Sequence, residues 1–143
     1  MNDYIRKVNY YETDKMGITH HSNYIRWMEE ARIDFLEQIG CGYARLEKEG
    51  IISPVIGIEC QYKHPTTFDD EVRIHVEIAE FKRIEFVISY TITNNKTGEL
   101  VLTGKTHHCF TNAEGRPIPL KRQFPELDGI LRSLAPATQS VQP

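Results

Sequence analysis

From Tyr24 to Ile39 the apolar positions recur every three or four residues: Tyr24, Trp27, Met28, Ala31, Phe35, Leu36 and Ile39. Arg26, Glu29, Glu30, Arg32, Asp34 and Glu37 fall mainly on the opposite side. That period belongs to a helix with one face on a core, and it predicts a helix over Ile25–Ile39. Ser22 is the expected N-cap, and Gly40 and Gly42 are the expected stop. Tyr43 to Glu49 is expected to add one more turn. Beyond Ile51 the period changes to two. Ile56, Ile58, Cys60 and Tyr62 alternate on one face, as do Val72, Ile74, Val76 and Ile78, and Ile84, Phe86, Ile88, Tyr90 and Ile92. Leu100 to Phe110 alternates less strongly. These are four strands, and residues 3–11 offer a short one before the helix.

The connections Pro65–Asp70, Phe81–Arg83 and Asn94–Gly98 read as hairpins, the last with residues suited to positive φ. Successive hairpins imply a largely antiparallel sheet. With one long helix available to cover it, the expected architecture is α+β, a curved antiparallel sheet wrapped around that helix. Val87 and Val101, on otherwise polar faces, hint at an interface. A short helix is expected roughly over Phe124–Leu131. Ser133–Pro143 is polar and reads as a disordered tail, which leaves one domain over residues 1–132.

The 143 residues carry 17 basic and 20 acidic side chains, a net charge of -3. This excludes nucleic-acid binding through bulk positive charge and leaves room for a local basic patch. No apolar run reaches the roughly 18–20 residues of a membrane span, and the first residues lack a signal-peptide core. The three cysteines, Cys41, Cys60 and Cys109, are odd in number and lack metal-ligand spacing. They fit a reducing, cytoplasmic setting.

The stretch YETDKMGITHHSNY, Tyr11 to Tyr24, holds the candidate chemistry. Asp14, Gly17, His20 and His21 precede the helix. An acid can activate water, and helix-start amides can hold a developing negative charge, so these parts suit hydrolysis of an activated acyl group. Asp14 alone is more often a loop acid making a turn hydrogen bond. The adjacent histidines lack an i, i+4 relation and no acid or cysteine cluster completes a ligand set, so no metal site is expected.

The motif T-D-x-x-G followed by H-x-N-Y, here Thr13-Asp14, Gly17, His21, Asn23 and Tyr24, resembles the hotdog-fold acyl-CoA thioesterases of the 4-hydroxybenzoyl-CoA thioesterase-like group. YKHPTTFDDEV and GKTHHCFTNAEGRPIPL add weaker matches. Thr19 stands at a position usually apolar in that group, and Lys15-Met16 replaces a smaller pair. The resemblance implies a hotdog fold, no cofactor, an acyl-CoA or acyl-carrier-protein substrate, and homo-oligomers, dimers or tetramers. It implies Asp14 as general base or nucleophile and His21 as a catalytic group at the helix entrance, with nearby amides on the oxyanion. Gly17, His20, Asn23 and Tyr24 are the further substrate-binding candidates, Tyr24 also fitting the core stripe.

A coenzyme A ligand would need cations for its phosphates. Lys63/His64, Lys82/Arg83 and Lys121/Arg122 are available, and Lys82 and Arg83 at a hairpin tip are favoured. Two rivals stand. A hotdog hydratase or dehydratase would carry a D-x-N-P-x-H or G-H-F-P type motif, and neither occurs. A non-catalytic acyl-thioester-binding module would bind without turnover.

Overall fold

The period-two stretches form strands and the amphipathic stretch forms the long helix. The structure is a computed structural model, and it describes residues 2–136. Strand β1 is Tyr4–Lys7, followed by a single 3-10 turn at Tyr10–Glu12. Helix α1 runs from Ser22 to Gln38 and α2 from Tyr43 to Lys48. Strands β2 (Val55–Tyr62), β3 (Glu71–Phe81), β4 (Glu85–Asn94) and β5 (Leu100–Cys109) follow. Helices α3 (Leu120–Gln123) and α4 (Pro125–Leu134) close the described chain. The fold class is α+β, with one five-stranded antiparallel sheet in the order β1-β3-β4-β5-β2.

Two of the expected hairpins form. Lys82 N–H donates to Glu85 O between β3 and β4, and Asn94 N–H to Glu99 O between β4 and β5. The segment Pro65–Asp70 is not one. It is a crossover, because β2 lies beside β5 and β3 lies between β1 and β4. The alternation that identified β2 says nothing about which strand it pairs with.

The chain forms two compact units. Unit 1 comprises the residues to Phe35, Cys60–Val76 and Tyr90–Gly104. Unit 2 comprises Leu36–Glu59, Glu77–Ser89 and the residues from Lys105 onward. Unit 1 buries Tyr24, Trp27, Met28 and Ala31 of α1 with Val72, Ile74, Tyr90, Ile92 and Leu102. Unit 2 buries Leu46, Ile51, Ile78, Phe81, Ile88, Phe110, Leu120, Leu127 and Leu131. Within unit 2 the Arg132 guanidinium lies 5.1 Å from the Phe81 ring centroid.

Four local expectations change. Ser22 lies inside α1 rather than capping it. Gly40 does end the helix at φ +81, whereas Gly42, at φ -65, is the N-cap of α2. Val87 and Val101 are buried within the chain and leave no apolar interface of their own. Ser133 and Leu134 belong to α4, so the expected tail overlaps a helix there. Residues 137–143 of that tail lie outside the described residues.

Candidate active site

The site is built in unit 1 from the segment that precedes α1. Thr13 and Thr19 form an antiparallel bridge that closes a tight loop. Asp14 N–H donates to Ile18 O at 2.9 Å and Gly17 N–H to Asp14 O at 3.0 Å. Gly17 takes φ +80, a conformation costly for residues with a Cβ. The Asp14 carboxylate is exposed, and its Oδ1 accepts from Met16 N–H at 2.8 Å. This is the ordinary turn bond that an Asp makes.

The entrance of α1 is capped by an imidazole. His20 Nδ1 accepts from Ser22 N–H at 3.2 Å and contacts Ser22 Oγ at 2.9 Å. Asn23 N–H donates to His20 O, and His20 N–H donates to Glu12 O. The N–H of His21 has no hydrogen-bond acceptor among the described residues. The His21 ring stacks on His20, with centroids 4.3 Å apart, and meets Tyr62 edge-on at 6.4 Å.

Asn23 is buried, and its Nδ2 donates to Glu12 O at 3.0 Å and His20 O at 3.2 Å. It holds the loop against the helix. Tyr24 is buried, with its ring 5.7 Å from that of Tyr62. Ile18, Thr19, His21, Tyr24, Tyr62, Lys63, His64 and Pro65 line a cleft of about 350 Å³. Burial pushes the Tyr62 phenol up from its ordinary value, and the neighbouring Cys60 adds to that.

Glu12 was not singled out by sequence, although Asn9-x-x-Glu12 has the spacing of a capping box. It is 3% exposed. Its carboxylate accepts from Arg6 Nη1 at 2.6 Å, Asn9 N–H at 2.8 Å and Trp27 Nε1 at 2.9 Å. Burial alone would raise the Glu12 carboxyl, but Arg6 and the other two donors outweigh it and hold it below its ordinary value. The same pairing raises Arg6, against the burial that would lower it. Glu12 thereby ties β1, the loop and α1 together.

The structure brings His21 and Tyr24 into the cleft and places Asn23, His20 and Gly17 in its framework. Among the described residues no hydrogen bond joins Asp14 to His21. Lys82 and Arg83 belong to unit 2. Lys82 lines a separate cavity of about 400 Å³ with Glu80, Glu85 and His107, among others, and Arg83 is exposed. Besides His21, the basic residues lining the cleft of unit 1 are Lys63 and His64, and the latter pairs with Glu99 at 3.0 Å. Among the described residues no group of three or more metal-ligating side chains occurs, and no helix is long and apolar enough to cross a membrane.

Residues 8–137 match the family model described as the Thioesterase-like superfamily. YneP of Bacillus subtilis (strain 168), named provisionally as an acyl-CoA thioesterase, is 35% identical over 84% of this chain and 87% of its own. The 1,4-dihydroxy-2-naphthoyl-CoA hydrolase of Thermosynechococcus vestitus is 23% identical over 87% of this chain and 86% of its own. Among solved structures, the DHNA-CoA thioesterase of Staphylococcus aureus superposes with a TM-score of 0.87. It is 35% identical over 92% of this chain and 89% of its own. The helix, the strand order and the motif before α1 thus have one common explanation: the chain belongs to the Thioesterase-like superfamily, as a thioester hydrolase of hotdog fold.

Proposed function

We propose that the chain hydrolyses an acyl-CoA thioester in the unit 1 cleft, releasing a carboxylic acid and coenzyme A. The observation that carries this reading is the uncommitted His21 N–H, at the start of a 17-residue helix and on the cleft wall. A thioester carbonyl there would develop its negative charge against a backbone donor and the positive end of the helix dipole. Asp14 acts as general base, taking a proton from the attacking water, or as a nucleophile that forms a mixed anhydride. The thiolate leaves readily, so no strong acid is required.

His20 and Asn23 fix the donor, and Gly17 permits the turn that carries Asp14, which stands outside the cleft lining of a single copy. Within the cleft Lys63 and His64 are the cations available to the phosphates of the thiol. Lys82 and Arg83 would serve from a second copy. The chain assembles as a homo-oligomer, a dimer or a tetramer of two dimers. Strand β2 supports this, since it leaves Ile56, Ile58 and Tyr62 exposed on a sheet edge. Three free cysteines support a cytoplasmic location.

Thiol release from short, long and aromatic acyl-CoAs, and from an acyl carrier protein, tests the reading on the wild type and on Asp14→Asn. A general base contributes about 10²–10⁴-fold, so kcat in the variant should fall by that factor with the fold intact. Unchanged turnover would remove Asp14 from the mechanism. Binding without turnover in the wild type would favour a binding module.

A further inference from the structure

Three hydroxyls lie in series beside the cleft: Tyr24, Thr66 and Thr19, each 5% exposed or less. Thr19 Oγ1 lies 3.1 Å from Thr66 O and 2.6 Å from Thr66 Oγ1. Tyr24 Oη lies 3.0 Å from Thr66 Oγ1. Each hydroxyl has one proton and two lone pairs. A carbonyl oxygen only accepts, and Thr66 O, which also takes the Thr19 N–H at 2.8 Å, has a second lone pair for the Thr19 hydroxyl proton. Thr19 therefore accepts from Thr66 Oγ1. Thr66, its proton used, accepts from Tyr24. With the Thr19 proton on that carbonyl, the chain runs Tyr24 to Thr66 to Thr19 to Thr66 O.

All three protons are then committed inside the protein. What remains at the Tyr24 oxygen is acceptor capacity alone. Tyr24 and Thr19 both line the cleft, together with the rings of His21 and Tyr62. We infer that the Tyr24–Thr66–Thr19 chain is a specificity element that selects an acyl group carrying a hydroxyl donor over one carrying an acceptor of similar size. The inference rests on the acyl-CoA reading of this cleft. A ligand hydroxyl can give its proton to Tyr24 Oη, whereas an ether oxygen in its place finds two sets of lone pairs facing each other. An unsubstituted acyl group leaves the Tyr24 oxygen without its second partner.

Thr19 controls the sign of this preference. In Thr19→Val the carbonyl loses its hydroxyl donor and Thr66 Oγ1 loses its acceptor. Thr66 can then donate to Tyr24, and the Tyr24 proton turns toward the cleft. The variant should accept an ether or carbonyl substituent that the wild type rejects.

The test uses non-hydrolysable thioether analogues of hydroxybenzoyl-, methoxybenzoyl- and benzoyl-CoA, titrated by calorimetry into wild type, Thr19→Val and Tyr24→Phe. Turnover of benzoyl-CoA is measured alongside, so a failure of hydrolysis is separated from a failure of selectivity. One neutral hydrogen bond is worth about tenfold in binding. The wild type should bind one or more hydroxyl position isomers about tenfold more tightly than the matching methoxy analogue. That ratio should fall toward one in Tyr24→Phe and invert in Thr19→Val. Equal wild-type affinity across all isomer pairs would overturn the inference, as would a ratio that survives Tyr24→Phe. Thermal melting of both variants checks that they are folded.

Discussion

Strands β2 and β4 carry the same alternation of apolar side chains and meet opposite fates. In β4, Phe86, Ile88, Tyr90 and Ile92 are buried, with Ile88 and Ile92 wholly inaccessible. In β2, Ile56 is 53% exposed, Ile58 43% and Tyr62 51%. The difference is position in the sheet. Strand β4 has β3 and β5 on its two sides, whereas β2 is the edge beside β5. Period two reports that a strand has an apolar face, and leaves open what covers that face. A long apolar edge on one copy of a chain invites strand pairing with another.

The largest expected effect comes from emptying the covered strand. Ile88→Ala should cost about 2–5 kcal/mol, read as a lower urea midpoint at unchanged slope. The next comes from the buried carboxylate that anchors the site. Removing one partner of a buried ion pair costs about 3–5 kcal/mol, and less where the other partner reaches water. Glu12→Ala should therefore fall at or below the low end of that range, because the Arg6 side chain stays 14% exposed.

Glu12 also sets a pH dependence. Its folded-state carboxyl is held below the ordinary value by Arg6, Trp27 and Asn9 despite burial. The unfolded chain thus binds the proton more readily. The associated stability is present above the unfolded value and is lost as pH falls through the folded one. Urea midpoints measured from about pH 5 downward should drop steeply in the wild type and more gently in Glu12→Gln.

The smallest effect on the chain itself should come from the exposed strand. Ile58→Lys is expected to change the stability of a single copy by no more than about 0.5 kcal/mol. It should nevertheless shift the protein to a smaller species in sedimentation or light scattering. An unchanged assembly state would show that β2 is not the surface by which copies meet.

The same contrast explains what could be read from sequence. Helix α1 was legible because its stripe, Tyr24 to Leu36, is both periodic and buried. Strand β2 was legible as a strand, but its edge place was not, because pairing with β5 is decided some forty residues later in the chain. The site followed this division too. Asp14, Gly17, His21 and Asn23 are local to one motif and legible together, whereas the cleft lining takes only His21 of the four. Glu12 was missed because its partners, Arg6 and Trp27, come from β1 and α1 and leave no short signature. The basic pairs Lys63/His64 and Lys82/Arg83 look alike in sequence, and only the folded chain shows that the first pair lines the cleft of unit 1. The order of the hydroxyl chain depends on Thr66, forty-two residues beyond Tyr24, and no spacing along the chain announces it.

The strand order also has a consequence for how the chain comes to be folded. Strands β3, β4 and β5 are successive neighbours and can zip together through short loops as they are made. Strand β2 is synthesised before all three, yet its partner is the last of them. Closing that long loop is slow compared with closing a hairpin. During synthesis β2 must therefore wait, with Ile56 and Ile58 unpaired, until β5 has left the ribosome. During that interval the unpaired apolar strand is an aggregation hazard.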